Sequence, residues 1–182
     1  MRRVTAGLFH SVDGVVEAPN LWQYDSFDAE MGAEMGSFMA STDAGLLGRV
    51  AYDEWSGYWS AAGAADPFAG FINPLQKYIA STTLQAPLSW EHSELIEGDV
   101  LDFVTALKAT DGGDIAVLGG FSLTRQLLFA GLLDSLTLMT HPVIAGSGRR
   151  LFESGDPETR LALESCTATS AGNVITRYRR RD

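Results

Sequence analysis

Apolar positions along the chain alternate between two spacings. Val4 to Phe9 is a short apolar-rich run that predicts a first strand, and Ser11-Val12-Asp13-Gly14 after it is turn chemistry. Pro19 and Asn20 break the chain. Beyond them Phe27, Met31, Met35, Phe38 and Met39 recur at i, i+4, i+8, i+11 and i+12, which is one face of a helix over about Ser26 to Ala40. Ala44 to Leu47 is short and apolar, the mark of a buried strand, and helical spacing resumes near Val50 with Tyr52 and Trp55. Gly63 to Pro74 reads as a loop or short helix, Tyr78 to Thr82 as a strand, and Asp99 to Ala109 as a helix carrying Val100, Leu101, Val104 and Leu107.

Asp111-Gly112-Gly113-Asp114 is a strong turn. Ile115 to Leu118 follows as a buried strand, ended by Gly119-Gly120, and Leu123 to Ala130 as a helix. Ser135 to Thr140 is a strand before Pro142, and two late strands, Leu161 to Thr169 and Asn173 to Arg180, turn through Ala171-Gly172. Early alternation of strands and helices with a β-rich tail predicts an α/β fold, a mainly parallel central sheet with antiparallel C-terminal edge strands. No linker interrupts the pattern, so residues 1–182 are expected to form a single domain.

Composition narrows the function classes. The formal charge is −10, against the clustered basic surface that nucleic acid requires. An anionic cofactor would need a local array of donors that overrides this field. The late Arg177, Arg179, Arg180 and Arg181 read as one charged face of an edge strand, which discourages edge pairing. Cys166 is the only cysteine and its threonine-rich surroundings predict a small core residue in a strand. The basic start lacks the apolar run of a signal peptide, and no stretch of about 18 apolar residues occurs, so a cytoplasmic protein without membrane contact is expected.

Three strand ends carry anion-friendly residues. Gly48-Arg49 follows the strand at Leu47, where glycine admits a ligand, a helix start offers free N–H groups and Arg49 adds a positive fork. Ser81 and Thr82 end another strand; their hydroxyls suit a phosphate or ribose, and suit a turn equally. Gly119-Gly120-Phe121-Ser122-Leu123 runs from a buried strand into a helix, a setting for a pyrophosphate on backbone N–H groups or simply a tight turn. In an open α/β sheet these ends share one edge, where ligands bind. Asp13 and Glu30 are the candidate proton donors, with Asp28 and Glu34 behind them; each reads equally as a turn residue or a solvated helix carboxylate. His10, His92 and His141 lack metal-ligand spacing, and no metal site is expected.

The order Ser11-Val12-Asp13-Gly14, then Leu47-Gly48-Arg49-Val50-Ala51-Tyr52-Asp53, then Lys77-Tyr78-Ile79-Ala80-Ser81-Thr82-Thr83-Leu84 resembles the dihydrofolate reductase superfamily. Leu118 to Leu123, Gly131-Leu132-Leu133-Asp134, His141 to Gly148 and Leu151-Phe152 resemble the branch holding the C-terminal reductase domain of the bifunctional riboflavin-biosynthesis enzyme. The resemblance implies a three-layer dihydrofolate-reductase-like fold, NADPH as cofactor, and a homodimer; the apolar Leu132, Leu133 and Leu136 are the residues expected to contribute to its interface. It further implies that Gly48, Arg49, Ser81 and Thr82 hold the adenosine 2′-phosphate side, and that Gly119, Gly120, Phe121, Ser122 and Leu123 take the pyrophosphate. The first strand and its loop would flank the nicotinamide.

Two departures touch the substrate half. Asp134 is followed by Ser135 where that branch carries glutamate, and no arginine stands just upstream of Thr42-Asp43-Ala44. The expected activity is hydride transfer from NADPH to a C=N or C=O bond of a small molecule, with the riboflavin-pathway pyrimidine as one alternative. A nucleotide-binding protein without turnover and a flavin-binding module are the rivals.

Overall fold

The computed structural model describes residues 1–24, 26–63 and 65–181. Eight strands form one sheet: β1 (Val4–Ser11), β2 (Thr42–Gly48), β3 (Gln76–Ala80), β4 (Ser93–Leu95), β5 (Asp114–Val117), β6 (Ser135–His141), β7 (Leu161–Ala168) and β8 (Val174–Arg180). Their order across the sheet is β4-β3-β2-β5-β1-β6-β8-β7. The first six in that order run parallel, and β8 and β7 are added antiparallel. The carboxyl ends of β3, β2, β5, β1 and β6 therefore lie on one edge.

Among the described residues five α-helices cover the two faces: α1 (Ala29–Ser41), α2 (Arg49–Ala61), α3 (Pro67–Ile72), α4 (Val100–Lys108) and α5 (Phe121–Phe129). Alternation along β5 divides the core. Ile115 and Val117 pack with Leu46, Val104, Leu123 and Leu127 on the α4/α5 side, while Ala116 and Leu118 pack with Leu47, Ala51, Tyr52 and Ile72 on the α2/α3 side. Met31 of α1 joins Met139 and Ile175 in a smaller cluster. A central strand buried on both faces reads as a continuous apolar run, which is why β2 and β5 lack polar alternation. Asp134 ties the sheet to α4, accepting from the Val4 N–H and from Lys108 Nζ.

The helix starts differ in a way that matters for the site. α1, α3 and α4 open on aspartate caps, Asp28, Asp66 and Asp99, whose carboxylates accept first-turn N–H groups. α2 and α5 open on Gly48 and Gly120, with no side-chain cap.

Several sequence expectations are corrected. β4 has no signature because three residues, Ser93-Glu94-Leu95, cannot show a period. β3 spans Gln76–Ala80, so Ser81 and Thr82 lie beyond it, and α5 begins at Phe121 rather than Leu123. Cys166 is exposed, because β7 is the sheet's outer strand. β8 is interior, between β6 and β7, and its arginines pair: Arg177 with Glu34 and Arg179 with Glu164. Leu133 and Leu136 belong to the core and are closed to an interface.

Candidate functional site

Strands β2 and β5 are neighbours, with Leu46 registered against Val117 and the Leu118 N–H donating to the Leu46 carbonyl at 2.9 Å. Their exits consequently emerge side by side. A β-carbon on Gly120 would stand 3.7 Å from the Gly48 nitrogen, and one on Gly48 would meet nothing within 4 Å. Two uncapped helix starts thus open onto the same small space, and first-turn N–H groups are the orphan donors of any helix. Gly119 is there for another reason. Its φ is +62°, and a β-carbon would lie 2.8 Å from a ring carbon of Trp55 and 3.1 Å from Ala51 Cβ. This glycine lets α2 pack on the turn. Of the residues after it, Ser122 is exposed, while the Leu123 side chain is in the core and can offer only its backbone N–H.

Beside this junction is a cleft of about 420 Å³ lined by Arg49, Ala80, Ser81, Thr82, Thr83, Gly98 and Asp99. Arg49, at the first position of α2, points its Nη1 at Asp53 Oδ2, 2.7 Å away, and remains half exposed. Ser81 Oγ accepts from the N–H groups of Thr83 and Leu84, which closes the turn after β3. The Ser81 hydroxyl also lies 3.5 Å from Thr83 Oγ1, and Thr82 beside them is exposed. The three predicted clusters thus meet on the successive strands β3, β2 and β5, a span of roughly 10 Å at ordinary strand spacing. A cation, hydroxyls and open backbone N–H groups in one row fit a phosphorylated nucleotide.

The predicted acids do not join them. Asp13 accepts from Ser11 Oγ at 2.7 Å and from the N–H groups of Ala145 and Gly146 at 2.9 and 3.0 Å. These bonds, the serine's above all, hold its pKa down at about 2. It ties the β1 turn to the loop after β6 and is ionised near neutrality, a state that does not suit the expected proton donor. Glu30 also has structural partners: its carboxylate accepts from Ser170 N and Oγ, latching α1 to the β7–β8 turn. Burial would raise Asp28, but donors from Thr169, Met31, Ala171 and Asn173 outweigh it and bring the carboxyl to about 2. Glu34 is engaged by Arg177 at 2.6 Å.

Sequence reasoning passed over the polar knot at the end of β6. His141 is fully buried between the rings of Phe9 and Trp22, with centroids 5.6 and 5.8 Å away, and its Nδ1 meets Ser26 Oγ. Burial lowers its pKa against the opposing field of Asp28. Asn173, also buried, donates to the Ser26 carbonyl and to Asp28. Together they pin the segment ahead of α1 to the sheet. The only hint in the sequence was a histidine preceding proline at a strand end.

A sequence profile of the RibD C-terminal domain matches residues 2–175. The chain belongs to the RibD C-terminal domain family. A curated relative, the uncharacterized protein YyaP of Bacillus subtilis, is 29% identical over 177 residues, covering 95% of this chain and 92% of its own. Among solved structures, a pyrimidine reductase-like protein of Corynebacterium diphtheriae superposes with a TM-score of 0.68 at 18% identity, covering 100% of this chain and 93% of that one. Acinetobacter baumannii RibD matches at TM-score 0.69 and 15% identity over 100% of this chain and 59% of its own, so the family domain is a part of that longer protein. These likenesses show the shared α/β fold with its mainly parallel sheet.

Proposed function

We propose that this member of the RibD C-terminal domain family is an NADPH-dependent reductase acting on a C=N or C=O bond of a small, uncharged substrate. The observation that carries the reading is the row formed by the Ser81–Thr83 hydroxyls, Arg49 and the back-to-back glycine starts of α2 and α5. When bound, NADPH would supply the hydride. Arg49, Ser81 and Thr82 would hold its 2′-phosphate. The N–H groups following Gly48 and Gly120 would hold the bridging phosphates, Phe121 and Ser122 among them, and Leu123 through its backbone. Phe9 and the aromatic residues around it would shield the reacting end from water. Asp13, Asp28, Glu30 and Glu34 are all engaged in bonds within the fold, so solvent is the proton source in this reading.

Fluorescence titration tests it: NADPH should bind more tightly than NADH, and Arg49→Ala should erase the difference. Equal affinities that the substitution leaves unchanged would remove Arg49 from the site. One observation favours a second reading, a protein that holds NADPH without turnover: Asp13 and Glu30 are both committed to structural bonds. NADPH oxidation against carbonyl, imine, pterin and pyrimidine panels separates the two, since a pure binder oxidises none.

A further inference from the structure

Arg149 lies in the loop between β6 and β7, and its guanidinium carbon stands 4.6 Å from the centroid of the Phe121 ring. Phe121 is the first residue of α5, so the loop delivers a cation to the helix that starts on Gly120. The cation is held in place. Glu17 accepts from Arg149 Nε at 2.7 Å and from its backbone N–H at 3.0 Å, and the Arg149 carbonyl accepts from the Val16 N–H at 3.0 Å. Gly148 makes this close approach feasible: its φ is +108°, and a β-carbon there would lie 2.8 Å from Val15. Because Glu17 engages only Nε, both terminal nitrogens of Arg149 lack a hydrogen-bond partner among the described residues. Its neighbour Arg150 is committed instead, with Nε on the Asp13 carbonyl and Nη2 3.6 Å from the Asp13 carboxylate.

We propose that Arg149 is a diphosphate-binding residue of the dinucleotide site, its two terminal nitrogens donating to the bridging phosphates over the first turn of α5. The inference rests on the NADPH reading above. A guanidinium stacked on a ring and fixed through Nε presents a ready two-pronged donor, and little side-chain entropy remains to be lost on binding. In a chain of charge −10, a fixed local cation is also what an anionic ligand requires.

The test is a titration of the wild-type chain, Arg149→Ala and Arg150→Ala with NADPH and with NADH. The diphosphate is common to both cofactors, so Arg149→Ala should weaken both by the same factor, about tenfold or more, while Arg150→Ala leaves both unchanged. Thermal unfolding of each variant confirms that the fold is retained. Wild-type affinity in Arg149→Ala overturns the proposal and leaves the NADPH reading standing. A loss confined to NADPH, or an equal loss in Arg150→Ala, also overturns it, as an effect on the 2′-phosphate or of general surface charge. A wild-type chain that binds neither dinucleotide brings down the NADPH reading itself.

Discussion

Gly119 and Trp55 occupy one another's margins: the space a β-carbon would need at position 119 is filled by the indole ring, 2.8 Å away. The backbone there is also left-handed, at φ +62°. Gly120, one residue on, has a negative φ of −109° and would place a β-carbon in ordinary contact, 3.5 Å from Leu123 Cβ. Two adjacent glycines thus serve different ends, one packing and one access.

Valine at the two positions should separate these roles. Gly119→Val combines a strained φ with overpacking and should cost about 2–4 kcal/mol of stability in urea unfolding. Gly120→Val should keep most of its stability and lose NADPH affinity, since its side chain extends beside the uncapped start of α5. Matching stability losses in the two variants would refute the division.

Asp13 yields a pH test. Its folded pKa of about 2 lies below the ordinary aspartate value, so the stability it contributes is complete above that ordinary value and drains away as pH falls toward 2. Asp13→Asn should therefore be less stable than the wild type at pH 6, and the gap should close in acid. The pH–rate profile of any reductase activity should keep its shape near neutrality in the variant. Disappearance of a neutral limb would restore Asp13 as the proton donor.

Lys77 is the one lysine carried wholly inside the protein. Its ammonium donates to the carbonyls of Ile72, Asn73 and Leu75 at 3.0, 3.1 and 2.7 Å and stands 4.6 Å from the centroid of Trp90. Burial lowers its pKa to about 8, with Glu91 opposing. The folded state thus gives up this proton before the unfolded chain does, and stability should rise between pH 8 and the unfolded value near 10.5. Below pH 8 the full cost of the buried charge is present. Relative to Lys77→Met, the wild type should gain about 2 kcal/mol across that window, read from urea midpoints at pH 7.5, 9 and 10.5. A difference independent of pH would show that the lysine is not strained by its burial.

The parts of this architecture that repeat were legible in the sequence. β2 and β5 announced themselves as apolar runs, and the Met31, Met35, Phe38 spacing marked α1, although Asp28 caps that helix and its first residue, Ala29, comes three residues after the expected start. The Gly48, Ser81 and Gly120 strand ends were visible as residue types, although such residues at strand exits serve turns as readily as ligands. Long-range pairings were not legible. Nothing local in Asp13 shows that it will accept from Ala145 and Gly146, or in Glu30 that Ser170 will claim it. Arg149 was hidden for the same reason, since its partners Glu17 and Phe121 are distant in the chain. A carboxylate's type can be read from the sequence; its freedom depends on loops brought together by the fold.

Neither dihydrofolate nor a phosphoribosylated pyrimidine should be a good substrate. A phosphate in a partly enclosed site calls for a cation, because an unpaired one is costly to desolvate. The stretch from Ser26 to Asp43, which in the proposed reading would flank the substrate, contains no lysine or arginine, and its acids Asp28, Glu30, Glu34 and Asp43 are all engaged in hydrogen bonds or ion pairs within the fold. Its apolar face is largely spent on the core: Met31 is buried, and Met35 and Phe38 pack against core clusters. Phe27 remains, 47% exposed, with its ring 6.1 Å from Phe9 at the end of β1, and the exposed Leu21 and Tyr24 precede it in the same segment. Arg150, in the loop after β6, is already turned onto Asp13. A surface of that composition suits a neutral, largely aromatic molecule. Steady-state assays with NADPH should accordingly give far higher kcat/KM for some uncharged carbonyl or imine than for either of these two. Turnover of the phosphoribosylated pyrimidine or of dihydrofolate at about 10⁴ M⁻¹s⁻¹ or above would refute this, and would require the phosphate or glutamate to be met by a cation outside the segment that ends at Asp43.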